Sequence, residues 1–272
     1  MLQAIILGIV QGLTEFLPIS STGHLRIVPA FAGWDDPGAG FTAVVQLGTT
    51  AAVLIYFRED LLRVATAWFA SLRDPTRRAE LDARLGWYLI IATIPIGLIG
   101  LVLHNSIESG ARSLYLIGSA LILFSFVMLA AEYYGKQDRK LETFGMRDAI
   151  AIGIGQALAL VPGVSRSGAT ISTGLFCGFE RADAARFSFL LSIPAIVLAA
   201  LFELRGVVTG DNTVHAAAGP VIISIVFAFI FGYLSIAWLL RFVAHHSLGV
   251  FVGYRIIIGS LVLILAASGA IS

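Results

Sequence analysis

The sequence predicts an all-α polytopic membrane protein, with six transmembrane helices and two re-entrant helix-turn-helix segments in an inverted-topology repeat. Composition is the first observation: hydrophobic residues make up 58% of the 272 residues and charged residues only 13%, and the mean hydropathy is +0.90. Soluble globular proteins are far less apolar. The second observation is a set of six apolar stretches long enough to cross a bilayer. The third is a pattern that occurs twice, 145 positions apart, beginning at Gly8 and Gly153.

Composition also limits the partners of the chain. A net charge of +1 does not favour a nucleic-acid partner, and the single cysteine, Cys177, allows no disulfide framework. The lipid bilayer is the expected surrounding. We predict one integral membrane domain with two repeats, at about 1–135 and about 146–272, and leave open whether two chains form a homodimer.

The six predicted spans follow from length. A helix needs roughly 20 apolar residues to cross the hydrocarbon core of a bilayer. The stretches that meet this requirement are 39–57, 85–104, 113–132, 187–204, 219–240 and 249–270. The Arg-rich break at 58–84 is interpreted as an interfacial amphipathic connector. Arg255, near the start of the last span, is expected to snorkel to the membrane surface, with a supporting role in the core as the alternative.

The two copies of the repeated pattern are shorter than these spans. Their first segments, 1–17 and 148–161, are too short to cross a bilayer, and each is stopped by a proline. Such segments are typical of re-entrant halves, whose irregular backbone must be surrounded by protein. Each leads through a hydroxyl-rich turn into a shorter helix that returns to the same side, at about 23–32 and about 167–178.

Lysine and arginine set the expected orientation. Thirteen of these residues lie in the breaks at 58–84, 133–147, 179–186 and 241–248, and three lie on the opposite side. The positive-inside rule places the larger group in the cytoplasm, so both termini face outward. Each copy has three spans, an odd number, so the second copy must be inverted. The two hydroxyl-rich turns can then meet near the midplane of the membrane.

These turns contain the candidate binding residues. Hydroxyl side chains are good helix N-caps, and two helix N-termini directed at one point supply amide donors for an anion. Glycines allow the backbone to approach a ligand closely. Arg166 adds a permanent charge whose planar fork suits phosphate oxygens. The substrate-binding candidates are Ser20, Thr22, Gly23, Gly163, Ser165, Ser167, Gly168 and Thr170.

Side chains of the first copy indicate chemistry. Gln11 and Glu15 are four residues apart and share one helical face. Beside a phosphate, a carboxylate would repel the ligand unless a divalent cation lay between them. We therefore assign Gln11 and Glu15 to a metal site and expect magnesium or calcium as the cofactor. Histidine side chains titrate near neutrality, so His24 is a candidate nucleophile or general acid and base. The hydroxyl of Ser21 is a further candidate nucleophile.

Two runs of residues resemble a known family. Residues 11–24 (QGLTEFLPISSTGH) and 162–170 (PGVSRSGAT) are similar to the two signature motifs of the undecaprenyl-diphosphate phosphatases of the bacitracin-resistance type. The resemblance continues through 187–194 and covers essentially the whole chain. One departure is Gln11, where many relatives have Glu. It removes one negative charge from the implied metal site, which should weaken cation binding.

The resemblance implies an enzyme of the bacterial plasma (inner) membrane that hydrolyses undecaprenyl diphosphate to undecaprenyl phosphate and inorganic phosphate. This reaction recycles the lipid carrier for peptidoglycan and other envelope polymers, and it confers bacitracin resistance. The resemblance also implies that Glu15, Ser21, His24 and Arg166 are catalytic and that Glu15 is associated with the metal. We expect a midplane pocket open to the outer (periplasmic) side.

Two questions stay open at this stage. The nucleophile is either Ser21, with His24 as its base, or His24 itself. The chain could also be a transporter or flippase of a polyprenyl phosphate lipid, because inverted repeats with broken helices are transporter architecture too. A pure carrier of an anionic headgroup has little use for a carboxylate beside it, so Glu15 favours the enzyme.

Overall fold

The computed structural model describes residues 1–103, 112–209 and 218–271. Within these ranges the chain is helical and has no sheet. The eleven described α-helices are α1 (Leu2–Phe16), α2 (Ser21–Ala32), α3 (Gly38–Tyr56), α4 (Arg58–Arg73), α5 (Leu81–Val102), α6 (Leu114–Tyr134), α7 (Met146–Ala157), α8 (Arg166–Phe176), α9 (Arg181–Thr209), α10 (Ala218–Val243) and α11 (Gly249–Ala267).

Four of these helices are long and apolar enough to cross a membrane. They are α5, α6, α10 and α11, and the pair formed by α3 and α4 qualifies as a fifth if it is taken as one broken span. The helical polytopic membrane fold is therefore confirmed, while the number of six spans stays a prediction. The predicted span at 187–204 lies within α9. The polar breaks that the sequence predicts at 105–112 and 205–216 lie partly outside the described residues, which omit 104–111 and 210–217.

The connector predicted after the first span begins with a sharp bend. Helix α4 is inclined by 74° to the helix that precedes it. Its first turn carries Glu59 and Asp60 and its last turn carries Arg73. Acidic residues near a helix N-terminus and basic residues near its C-terminus both interact favourably with the helix dipole. Charges at both ends suit a helix that lies along a polar surface.

The two re-entrant regions have the predicted order but different bounds. Helix α1 ends at Phe16, and α7 ends at Ala157 and continues as a 3₁₀ turn over Leu158–Leu160. The returning helices begin at Ser21 and Arg166, earlier than the predicted 23 and 167. The reason is that Ser20 and Ser165 are the N-caps, which puts the following hydroxyl and arginine side chains inside the first helical turn.

In each repeat, the short first helix packs against a long helix of the other repeat. Helix α1 lies against α10 of the second repeat, and its counterpart α7 lies against α5 of the first. Both contacts depend on equivalent glycines, because a Cβ at Gly8 would lie 2.5 Å from the carbonyl oxygen of Ser224 and a Cβ at Gly153 would lie 2.7 Å from that of Ala92. Small residues let membrane helices approach this closely. Such reciprocal packing is what a two-fold axis between repeats produces.

Helices α6 and α11, which are also equivalent, pack directly on each other. A Cβ at Gly118 would meet the side chain of Leu263 at 2.9 Å. Leu263 occupies the position 145 residues after Gly118, so the two equivalent positions touch. A residue contacts its own counterpart only near a symmetry axis. The axis therefore passes between α6 and α11, next to the turns that carry the candidate site.

Candidate active site

The two hydroxyl-rich turns adopt the same conformation. Ser20 and Ser165 have φ angles of 77° and 78°, in a region that residues other than glycine rarely occupy. The Oγ atom of Ser20 accepts a hydrogen bond from the amide of Gly23 at 3.4 Å, and that of Ser165 accepts one from Gly168 at 3.2 Å. The duplicated sequence thus encodes a duplicated turn. Backbone strain of this kind is typical of functional sites.

A buried ion pair joins the end of α1 to the start of α8. The Nη2 atom of Arg166 donates to Oε1 of Glu15 at 2.5 Å, and the two side chains are only 16% and 6% exposed. The Nη1 atom donates to the carbonyl oxygen of Ser192 at 3.2 Å. A buried ion pair costs desolvation and adds little stability, so its presence here indicates a role in function.

The same carboxylate accepts two further hydrogen bonds. Ser21 Oγ donates to Oε2 of Glu15 at 2.6 Å, and the Nε2 atom of Gln11 donates to Oε2 at 3.0 Å. A carboxylate offers about four acceptor positions, and three are in use. The Oε1 atom of Gln11 is buried and has no hydrogen-bond partner. One remaining position on Glu15 and this unpartnered amide oxygen are therefore available to a ligand.

His24 lies three residues after Ser21 in α2, and its hydrogen-bond partners differ from those of Ser21. Its Nδ1 atom is 2.8 Å from the carbonyl oxygen of Ser20, and its Nε2 atom is 2.8 Å from the hydroxyl oxygen of Tyr254. The pair of Ser21 and His24 expected from the sequence is not formed, because the hydroxyl of Ser21 is bonded to Glu15. Ser21 and His24 are three positions apart in α2, a spacing that puts side chains on one face, yet each is hydrogen-bonded to a different distant partner.

The other candidate hydroxyl side chains are of two kinds: some can be reached by a ligand, and the others are buried and hydrogen-bond to neighbouring segments. Thr22 is exposed and Ser21 is half-buried, so both can meet a ligand. Ser167 Oγ donates to the carbonyl oxygen of Leu17 at 3.0 Å, and Thr170 Oγ1 lies 2.5 Å from the hydroxyl of Ser188. Both Ser167 and Thr170 are buried. Their hydroxyls tie α8 to its neighbours.

Three glycines predicted to contact the ligand also have structural reasons. Gly163 has a φ of 97°, and a Cβ there would lie 2.6 Å from the carbonyl oxygen of Ile117. A side chain at this position would therefore push the second turn away from α6. Gly23 and Gly168 donate the amides that the capping serines accept, and both are buried.

Arg255 takes the role in the core that the sequence offered only as its alternative interpretation. Its side chain is fully buried, so the expectation that it snorkels to the membrane surface was wrong. Its guanidinium donates to five acceptors, which include carbonyl oxygens of both turns. The partners are Ser125 Oγ at 3.1 Å, Pro18 O at 3.1 Å, Val164 O at 3.1 Å, Gly163 O at 2.9 Å and Ala120 O at 3.4 Å.

The position of this arginine relates directly to the repeat. Gly163 is the equivalent of Pro18, so one guanidinium binds the same carbonyl of both copies. The sequence did contain a signal: Arg166 and Arg255 are the two basic residues that belong neither to the breaks predicted to be cytoplasmic nor to the predicted outer side. An ionisable residue within an apolar span is a functional candidate by default.

The described residues contain no group of three or more His, Cys, Asp and Glu side chains that could hold a metal ion. A cation at this site would thus depend on few protein ligands. Magnesium commonly binds in this way, through one or two carboxylates and the phosphates of a substrate. Gln11 faces Glu15 with Nε2, so its amide would have to turn over to bring the unpartnered Oε1 next to the carboxylate in such a donor set.

Comparison with known proteins gives a consistent result. The family model described as bacitracin resistance protein BacA matches residues 4–261. A protein of Mycobacterium sp. (strain KMS) named undecaprenyl-diphosphatase is 53% identical over 272 residues, which is 100% of this chain and 98% of the relative. Proteins with the same name from a Nocardioides species and from Mycolicibacterium smegmatis are 50% and 52% identical, also over 100% of this chain and 98% of their own length.

Proposed function

This chain belongs to the bacitracin resistance protein BacA family, and on that premise we propose that it hydrolyses undecaprenyl diphosphate to undecaprenyl phosphate and inorganic phosphate. The observation that supports this most strongly is the contact between the repeats, in which Arg166 and the Ser21 hydroxyl share the buried carboxylate of Glu15. A cation, a nucleophile and a base in one place are the groups that phosphoryl transfer requires.

The diphosphate binds where helices α2 and α8 begin. The capping hydroxyls of Ser20 and Ser165 already accept backbone amides, so the ligand contacts the remaining amides of each first turn. Arg166 supplies the charge, and Ser21 and Thr22 are the accessible hydroxyls. The polyprenyl tail stays among lipid chains, so only the headgroup has to enter the protein.

In the proposed first step, Ser21 attacks the terminal phosphorus of the substrate. Its Oγ atom forms the new bond to phosphorus while its proton passes to Glu15, to which it already donates at 2.6 Å. The bond from phosphorus to the bridging oxygen breaks, and undecaprenyl phosphate leaves. Water then attacks the phosphoserine and gives a proton to Nε2 of His24, while Glu15 returns its proton to Oγ of Ser21 and inorganic phosphate leaves. His24 remains the alternative nucleophile, through Nε2.

Arg166 stabilises the transferring group. Its guanidinium is bound to Glu15 before the substrate arrives, so its fork is already oriented toward the carboxylate that receives the proton. When Glu15 becomes protonated, the ion pair weakens and Arg166 is freed to hold the developing negative charge on phosphorus oxygens. The exchange of partners couples proton transfer to charge stabilisation.

The proposal includes a divalent cation, magnesium or calcium. Gln11 Oε1 and the Glu15 carboxylate would hold it, together with oxygens of the substrate. When bound, the cation would neutralise negative charge on the diphosphate and polarise its phosphorus oxygens.

The proposed setting is the bacterial inner membrane, with the site open to the periplasmic side. The distribution of lysine and arginine supports this orientation, and the exposed Thr22 marks the side from which the turn is reached. A homodimer remains part of the hypothesis.

The deciding experiment is phosphate release from undecaprenyl diphosphate by the purified protein, with magnesium or calcium and with a chelator. We expect release with metal, little with chelator, and loss of activity in the Arg166→Ala variant. Arg241→Ala, which changes an exposed arginine at the end of α10, is the matched control. If the folded protein releases no phosphate with metal present, hydrolysis is excluded and a lipid carrier becomes the better account.

A further inference from the structure

The two hydrogen bonds of His24 define which nitrogen of its neutral ring carries the hydrogen. The carbonyl oxygen of Ser20 can only accept, so the Nδ1 atom 2.8 Å away must carry a hydrogen. In the neutral ring, the lone pair is then on Nε2. The hydroxyl of Tyr254, 2.8 Å from Nε2, donates its hydrogen to that lone pair. One tautomer therefore satisfies both contacts.

Tyr254 also limits the orientation of the imidazole. The two rings are stacked, with centroids 5.6 Å apart and planes inclined by 13°. His24 is buried, and the nitrogen that faces Tyr254 is the one that is not committed to the backbone. A ring that is held at both nitrogens and along one face cannot rotate without losing a bond.

The position of Tyr254 is itself fixed. The next residue on α11 is Arg255, whose guanidinium binds carbonyl oxygens of both turns. The hydroxyl that reaches His24 is thus provided by a helix anchored to the site, 230 positions further along the chain. Tyr254 is 39% exposed, so its ring is not a core packing residue.

We infer that Tyr254 is a positioning residue for the proposed phosphatase reaction: its hydroxyl holds the His24 ring in place and directs the Nε2 lone pair, while the carbonyl oxygen of Ser20 fixes the tautomer. This inference rests on the proposed function. Tyr254 acts through His24 and has no direct contact with the substrate in this role. The hydroxyl must give way, or accept a hydrogen in turn, whenever Nε2 takes up a proton during the reaction.

The experiment compares Tyr254→Phe, His24→Ala and the double variant in phosphate release from undecaprenyl diphosphate. Tyr254→Phe keeps the stacked ring and removes only the hydroxyl. We expect kcat to fall about tenfold, with KM changed less than twofold, because the histidine loses its orientation but the binding groups remain. In the His24→Ala background the same change should have no further effect. Tyr133→Phe, which removes the hydroxyl of an 81% exposed tyrosine, is the matched control.

A second measurement does not depend on activity. In protein labelled with ¹⁵N-histidine, with the signals of His24 identified by their absence in His24→Ala, the ring nitrogens should report the Nδ1–H tautomer in both the wild type and Tyr254→Phe. The Nε2 resonance should shift in Tyr254→Phe, because that nitrogen loses its hydrogen-bond donor. An unchanged Nε2 resonance and unchanged kcat in Tyr254→Phe would overturn the inference. Equal losses in the presence and absence of His24 would also overturn it. Absence of activity in the wild type would instead count against the proposed function, while the Nε2 resonance would still test the contact.

Discussion

Replacing Arg255 by methionine should destabilise the protein and separate its two turns. Methionine fills a similar volume but donates no hydrogen bond, so the carbonyl oxygens of Pro18, Gly163 and Val164 lose the guanidinium that binds them. These carbonyls belong to turns buried among helices, where water cannot easily replace the lost donor.

The expected loss of stability follows from the number of hydrogen bonds that Arg255 donates. Arg255 donates five hydrogen bonds. Interhelical hydrogen bonds within membranes contribute about 0.6 kcal/mol on average and at most about 1.7 kcal/mol, so five of them contribute about 3 to 8.5 kcal/mol. The opposing effect is the desolvation of a buried guanidinium, which methionine would relieve. Because one guanidinium satisfies acceptors from both turns, we expect the lost hydrogen bonds to outweigh the relieved desolvation cost. The free energy of unfolding should then fall by at least about 2 kcal/mol.

The assay is reversible unfolding of the purified protein in mixed detergent micelles, followed by circular dichroism. Arg255→Lys retains the charge but not the planar fork, and it should lie between the wild type and Arg255→Met. Arg241→Met, at an exposed position on α10, should behave as the wild type. Arg255→Met could instead be as stable as the wild type or more stable. The desolvation cost of the guanidinium would then exceed the contribution of its five hydrogen bonds, and the prediction would be refuted.

Three further predictions concern the site. Glu15→Gln should lower phosphate release at least 100-fold, because it removes both the partner of Arg166 and the acceptor of the Ser21 proton; a variant with more than a tenth of wild-type activity would contradict the assigned base. Ser165→Ala should lower the free energy of unfolding by about 1 kcal/mol through loss of the N-cap, and an unchanged unfolding midpoint would show that the cap contributes nothing. Gln11→Glu should lower the magnesium concentration that restores half of the activity after chelation, and an unchanged titration would argue against a cation at Gln11.

Much of the fold could be predicted from the order of apolar and polar residues. The lengths of the apolar stretches decide which segments can cross a bilayer, because the rise of a helix per residue is fixed. The repeated turn could also be predicted, since the hydroxyls of Ser20 and Ser165 satisfy amides only three residues away. The helix bounds near these caps were less accurate, because Ser21, Thr22 and Arg166, which belong to the first helical turns, were taken for part of the preceding turns.

The partners within the site could not be predicted in the same way. Glu15 and Arg166 were both candidates, yet nothing in the sequence says that they touch, as 151 positions separate them. Ser21 and His24 are neighbours in sequence, and the structure gives each a different partner. A local pattern specifies which groups a turn carries, whereas the packing of helices decides which groups from distant segments meet.

The sequence by itself determined that the chain is helical, lies in a membrane, is duplicated and carries a carboxylate, hydroxyls and an arginine in its turns. Each of these properties depends on residues close together in the chain. Only the tertiary structure decided that Arg255 binds both turns and that Tyr254 reaches His24, although the sequence suggested a snorkelling arginine on that helix. The physical reason is that the burial of Arg255 depends on α6, α11 and the two turns closing around it, and no single segment contains that information.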